Sequence, residues 1–203
     1  MRIKMRSIIL LITSSVLMCA LVACVGVNTI KQNIAIYDFG LSDPNESHQV
    51  ITAKLLLEAT VAAESLNQNK IRYRLDYLNP SRIFYYAQSR WASTPSELFS
   101  SKLNKIVNFT KTPMSCSLKL KIEAFDQVFH SATTSDGVVQ LSAIVVERNS
   151  QKIISNQFIS ESVPALSANA KGGTTALQIA SENALKQAIN WGNTIADNNA
   201  LCQ

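Results

Sequence analysis

The chain has 203 residues, with 19 Lys and Arg against 14 Asp and Glu, two His and four Cys. That length suits one domain with a proper core and is short for two. The formal charge of +5 includes Arg2, Lys4 and Arg6 at the N-terminus, so the rest of the chain carries only +2, too little for the basic stripe of a nucleic-acid binder.

Met1-Arg2-Ile3-Lys4-Met5-Arg6 is a basic stretch, and Ser7 to Ala20 is uncharged and mostly apolar, which is the form of an export signal over residues 1–23. Leu21-Val22-Ala23-Cys24 then resembles the lipobox of bacterial lipoprotein precursors. Small Ala23 fits the narrow site of a signal peptidase, whereas Cys19 follows bulky Met18. Cleavage before Cys24 makes its thiol the lipid-attachment point, and palmitate-like chains contributing ~0.8 kcal/mol per buried CH₂ together form a stable anchor. Two other readings are an uncleaved helix over Ser7 to Val27 and an ordinary secretory signal. Val25, not Asp, follows the cysteine. Under the lipoprotein reading this points to the periplasmic face of the outer membrane.

Residues 24–32 read as a short lipidated tether and 33–203 as a periplasmic domain. With Cys19 discarded and Cys24 acylated, Cys116 and Cys202 remain as an even pair in an oxidising compartment. A disulfide between them would close a long loop; the alternative is a small buried Cys116 and a frayed terminal Cys202.

The first strand is predicted over Asn33 to Phe39. Ala53 to Ala63 alternates at Leu55, Leu57, Ala59 and Val61 while holding helix-forming Ala and Glu, and the alternation favours strand. Ile71, Tyr73, Leu75 and Tyr77 alternate with Arg72, Arg74 and Asp76, predicting a strand with an apolar and a charged face. After the turn chemistry of Leu78-Asn79-Pro80-Ser81, aromatic-rich Arg82 to Trp91 completes a hairpin.

Thr94-Pro95-Ser96-Glu97 carries an N-cap, a first-turn proline and a capping-box Glu, which starts a helix reaching about Asn108. Leu98, Phe99, Leu103, Ile106 and Val107 share its buried side. Strands follow over 117–129, 138–147 and 152–161, with turns at Ser135-Asp136-Gly137 and Arg148-Asn149-Ser150-Gln151. Lys171-Gly172-Gly173 breaks the chain before a helix over Thr174 to Ala196, striped by Leu177, Ala180, Ala184, Ala188, Trp191 and Ile195. These elements predict an α+β fold, with an antiparallel sheet and two helices packed on one face in a two-layer single domain.

No arrangement of reactive groups points to an enzyme, a metal or a cofactor. His48 and His130 are not at metal-ligand spacing, Gly172-Gly173-Thr174 lacks the remainder of a phosphate loop, and Asp43 with Glu46 lies in a polar loop. The aromatics Tyr73, Tyr77, Phe84, Tyr85, Tyr86 and Trp91 leave two readings open: cross-strand core pairs, or a surface for lipid or protein. Arg72 and Arg74 are read as an outer face, either solvated or touching lipid head groups or an acidic partner.

Ile71-Arg72-Tyr73-Arg74-Leu75, Arg82-Ile83-Phe84-Tyr85-Tyr86, Arg90-Trp91-Ala92, and Leu98 and Leu103 on a helix after Pro95 together resemble the ABC-type transport auxiliary lipoprotein family. Paraquat-inducible protein C lipoproteins are its best-known type. The family's second strand has no clean counterpart in Ala53 to Asn69. The resemblance implies a non-catalytic part of an intermembrane lipid transport system, held in the outer membrane by acyl chains. Its partners would be a periplasmic mammalian-cell-entry (MCE) protein and, through it, an inner-membrane permease and ATPase. Phospholipid contact and a ring-like homo-oligomer are further implications. Arg72, Arg74, Tyr85, Arg90 and Trp91 are the candidate partner- or lipid-contact residues. The alternatives are an envelope assembly or structural lipoprotein, such as an outer-membrane biogenesis subunit or a pilotin, and a periplasmic enzyme built from residues distant in sequence.

Overall fold

The computed structural model describes residues 33–41, 50–109 and 114–203. Ten strands, β1 (Ala35–Tyr37), β2 (Ile51–Ala53), β3 (Leu56–Leu57), β4 (Val61–Ala62), β5 (Lys70–Leu75), β6 (Asn79–Trp91), β7 (Val107–Phe109), β8 (Cys116–Phe129), β9 (Ser135–Glu147) and β10 (Ile153–Pro164), accompany helices α1 (Pro95–Ile106) and α2 (Ala170–Asn198). The fold is α+β, with one large sheet and two helices around a single hydrophobic core in residues 34–203. Among the described residues, no helix is long and apolar enough to cross a membrane.

The sheet is antiparallel in its long β5–β6, β8–β9 and β9–β10 pairs and mixed as a whole. Its order is β1-β6-β5-β8-β9-β10, and the β1–β6 and β5–β8 pairs are parallel. β1 takes the free edge of β6, which leaves β8 the other edge of β5, and the crossover through α1 brings the chain back in the direction of β5. The last three long strands form the expected antiparallel meander.

Ala53 to Ala63 is not one strand. Its start belongs to β2, which pairs parallel with β7 in a separate two-stranded sheet, and Leu55 then turns fully into the core. β3 and β4 line up parallel to β8 at Ser117–Leu118 and Lys121–Ile122, and β5 continues along the same edge from Asp126. β3, β4 and β5 are therefore one interrupted track. The interruption holds a 3-10 turn, Glu64–Leu66, and coincides with a bulge in β8 between Ile122 and Ala124. A bulge shifts side-chain parity. Leu118, Leu120 and Ile122 face the core before it, and Phe125 and Phe129 after it.

The core centres on Phe39, Trp91, Phe99 and Phe125, where Trp91 stacks on Phe125 at 5.1 Å and Phe99 of α1 meets Phe125 edge-on at 5.6 Å. Such aromatic pairs add to burial through quadrupole complementarity. At the start of α1 the Thr94 N–H donates to Glu97 Oε2 at 3.0 Å. The helix ends at Ile106 because Val107 already pairs with Ile51.

Two predicted breaks lie inside regular structure. The β8–β9 turn is 130–134, closed by the His130 N–H to Thr134 O and by Ser131 Oγ accepting from Thr133 and Thr134 N–H, so Gly137 belongs to β9. Its glycine is needed for close approach, since a Cβ there would lie 2.4 Å from the backbone nitrogen of Leu177 in α2. Likewise α2 begins at Ala170, capped by Asn169 Oδ1 accepting from the Gly172 N–H, and places Gly173 in its first turn against Gln127. At the other end, Cys202 is joined to Cys116 of β8 by a disulfide spanning 86 positions.

Candidate functional site

The helices cover one face of the sheet, and the register of β5 and β6 shows what the other face carries. Arg72 pairs with Tyr85, and Lys70 pairs with Arg90, so two residues along β5 match five along β6. Paired residues point to the same side of a sheet, as do residues two apart on a strand. Lys70, Arg72, Tyr85 and Arg90 therefore share the face away from the core, while Ile71 and Trp91 face inward and are buried. The surplus residues of β6 bow out and leave a groove of about 310 Å³ lined by Asn69, Lys70, Tyr85, Tyr86, Ala87, Ser89 and Arg90. Bulges in β-strands often re-aim side chains in this way at sites of function.

The groove is basic and aromatic. The Lys70 ammonium sits 5.1 Å from the centre of the Tyr85 ring, and Gln68 Nε2 donates to the Tyr85 hydroxyl at 3.2 Å. Lys70 is exposed and Arg90 half-buried, and among the described residues neither lies within ion-pair distance of a carboxylate. Tyr86 forms the inner wall: its hydroxyl donates to Gln127 Oε1 at 2.8 Å, and Gln127 Nε2 donates to Ser135 Oγ at 2.7 Å. Burial, then the Tyr73 and Tyr37 phenols, push the Tyr86 pKa well above the ordinary phenol value, so Tyr86 stays a neutral donor.

Beside the groove, Asp126 sits between two arginines. Arg72 Nε lies 2.7 Å from Oδ1, Arg72 Nη2 donates to Oδ2 at 3.2 Å, and Arg74 Nε donates to Oδ2 at 2.7 Å. Arg72 Nη1 also donates to Ser65 Oγ at 3.3 Å, which holds the 3-10 turn over the pair. One carboxylate against two guanidiniums leaves this part of the face net positive.

These positions correct part of the sequence reading. Arg72, expected on an exposed charged face, is 3% exposed and ion-paired, because the Glu64–Leu66 turn and Asp126 enclose it. Trp91 is 1% exposed and packs in the aromatic core, so it offers no surface to a partner. Arg74 is committed to Asp126 and to the Pro80 carbonyl, with 25% of its side chain exposed. Tyr85 and Arg90 do line a groove, and the structure adds Lys70, Asn69 and Ser89 to them. Cys24 and His48 lie outside the described residues. His130 stands at the β8–β9 turn, with Nε2 3.4 Å from Asp136 Oδ2.

Lys70 was legible as the first of three cations spaced two apart, Lys70, Arg72 and Arg74. Asp126 carried a signal too, as a lone acid within the mainly apolar end of β8.

The exposed apolar side chains on this face are spread out. Ile36 of β1 pairs with Arg90, Val61 of β4 with Lys121, and Phe158 of β10 with Ser142, so all three point away from the helices and are more than half exposed.

No family model and no curated protein matches the chain. Among solved structures, the fold resembles that of a Xanthomonas campestris protein of the DUF330 family, with a TM-score of 0.66 at 14% identity over 81% of this chain and 98% of that one. It also resembles an uncharacterized protein with a TM-score of 0.55 at 10% identity, covering 80% of this chain and 99% of that one. At those identities the likeness is one of fold.

Proposed function

We propose that this chain is a lipid-anchored envelope protein of the outer membrane, a non-catalytic auxiliary part of an MCE/ABC-type intermembrane lipid transport system that engages its partners through the helix-free sheet face. The observation that carries this reading is the groove on that face, built around Tyr85 and Arg90. Both belong to the segments that resemble the auxiliary lipoprotein family, and the groove supplies cations and phenols suited to recognition. The fold it shares with a DUF330 protein supports the reading at the level of architecture. The lipobox at Cys24 supports the anchor, and the short stretch from Cys24 to Ala35 keeps the domain within roughly 40 Å of the membrane at ~3.5 Å per residue.

Site-specific crosslinking from Tyr85 in the native envelope tests the role. Capture of an MCE-domain protein is the expected result; capture of an outer-membrane assembly machine in its place would move the chain to the class of assembly lipoproteins. The anchor has its own test, since Cys24→Ala should abolish palmitate labelling and release the protein into the periplasm. Attachment that persists without label would mean an uncleaved helix.

A further inference from the structure

We propose that the groove between β5 and β6 is a phosphate site for a glycerophospholipid headgroup, held between Lys70 and Arg90 with Tyr85 at its rim. The assignment rests on the lipid-transport reading above and names the ligand chemistry of the same site.

Two independent features converge on it. The first is charge: every ionisable side chain lining the groove other than tyrosine is cationic, β5 and β6 carry no Asp or Glu, and Asp126 of the adjoining β8 is occupied by two arginines. In a concave site the potentials of Lys70 and Arg90 add, the Arg72–Asp126–Arg74 cluster beside them carries one further net positive charge, and the low-dielectric wall behind them focuses that field. An oxyanion is the complementary ligand, and a guanidinium can bind two phosphate oxygens at once.

The second is shape. Lys70 and Arg90 are cross-strand partners, while Tyr85 stands five residues earlier on β6, so a cation pair and a phenol frame the gap opened by the surplus residues. The volume of about 310 Å³ stands at the lower end of the ~300–1,000 Å³ range of small-molecule sites. That suits a headgroup with its acyl chains left outside. Exposed Ile36, the direct neighbour of Arg90 on β1, offers an apolar contact at the rim for the start of such a chain.

The test uses the mature lipoprotein in a non-ionic detergent, titrated with dihexanoyl phosphatidylglycerol, dihexanoylglycerol and inorganic phosphate, with binding read by native mass spectrometry and calorimetry. The phospholipid should bind saturably, and Lys70→Gln with Arg90→Gln should weaken it at least tenfold with the thermal midpoint little changed. Lys70→Arg should retain most of the affinity. Dihexanoylglycerol, which lacks phosphate, should not compete.

Undiminished binding in the double variant, or equal binding of dihexanoylglycerol, would overturn the site. Inorganic phosphate binding as tightly as the phospholipid would overturn the lipid source. Because the assay contains no partner protein, its failure is separate from failure of the MCE crosslink: headgroup binding without crosslink supports the site and removes the transport system, and the converse removes the site alone.

Discussion

Arg72 and Asp126 stand directly opposite each other on the parallel strands β5 and β8, 2.7 Å apart and both nearly inaccessible to water. Removing one partner of a buried ion pair strands a desolvated charge, at a cost of about 3–5 kcal/mol. Asp126→Ala leaves two arginines facing each other and should fall at the upper end of that range in urea unfolding. Arg72→Met leaves Asp126 to Arg74 alone and should cost less. Asp126→Leu with Arg72→Met should recover much of the loss, because no charge is then left buried. A double variant as unstable as Asp126→Ala would show that the pair's geometry, rather than its charge, organises the strands.

The disulfide closes a loop of 86 positions between β8 and the C-terminal 3-10 turn Ala200–Cys202. Cross-links over loops of that size stabilise small exported domains by about 2–5 kcal/mol, chiefly by restricting the unfolded chain on the entropy model. Cys116→Ala with Cys202→Ala should lower the urea midpoint by a matching amount. Reductant should reproduce the shift in the wild type and do nothing to the variant.

Gly137 lies not in a turn but where β9 touches α2. A Cβ at that position would lie 2.4 Å from Leu177 N and 2.6 Å from Ala176 C, which are backbone atoms that cannot swing away. Overpacking of this kind costs typically about 1–3 kcal/mol, and Gly137→Ala should reach the upper end. Gly173→Ala meets the side chain of Gln127 instead, so its cost should be smaller and should fall further in combination with Gln127→Ala. Equal destabilisation by the two single variants would contradict this account of the helix–sheet contact.

Local rules identified most elements because each rests on neighbouring residues: the 71–77 alternation marks β5, Thr94 to Glu97 marks the start of α1, and the apolar runs mark the meander. What escaped depends on residues far apart. That β8 lies beside β5 and not β6 follows from β1 occupying β6, and that Arg72 is buried follows from Asp126, 54 positions away. The groove escaped for the same reason, since the slip that opens it is a relation between Lys70 and Arg90 and not a property of either strand. Alternation predicted that Arg72 leaves the core face, and it does. It could not show that a 3-10 turn covers that side.

Between the helices, Lys102 of α1 is buried and ion-pairs with Glu182 of α2, which also pairs with Lys186 at 2.8 Å. Desolvation alone would raise the Glu182 pKa. The hydrogen bonds from Lys102 and Lys186, with their charges, outweigh it and hold the carboxyl below its ordinary value of 4.5. The folded state thus binds this proton less tightly than the unfolded chain does, so the contribution to stability is fully present above the unfolded value and is lost as pH falls through the folded one. Stability should therefore decline on acidification below the ordinary carboxylate range. Lys102→Met should flatten that decline, because Glu182 then keeps only the exposed-side Lys186. Urea midpoints measured from pH 7 down to pH 3 decide the matter. An unchanged acid slope in Lys102→Met would assign the acid sensitivity to other carboxylates, such as Glu123, which Ser142 and Lys121 also hold below its ordinary value against its own desolvation.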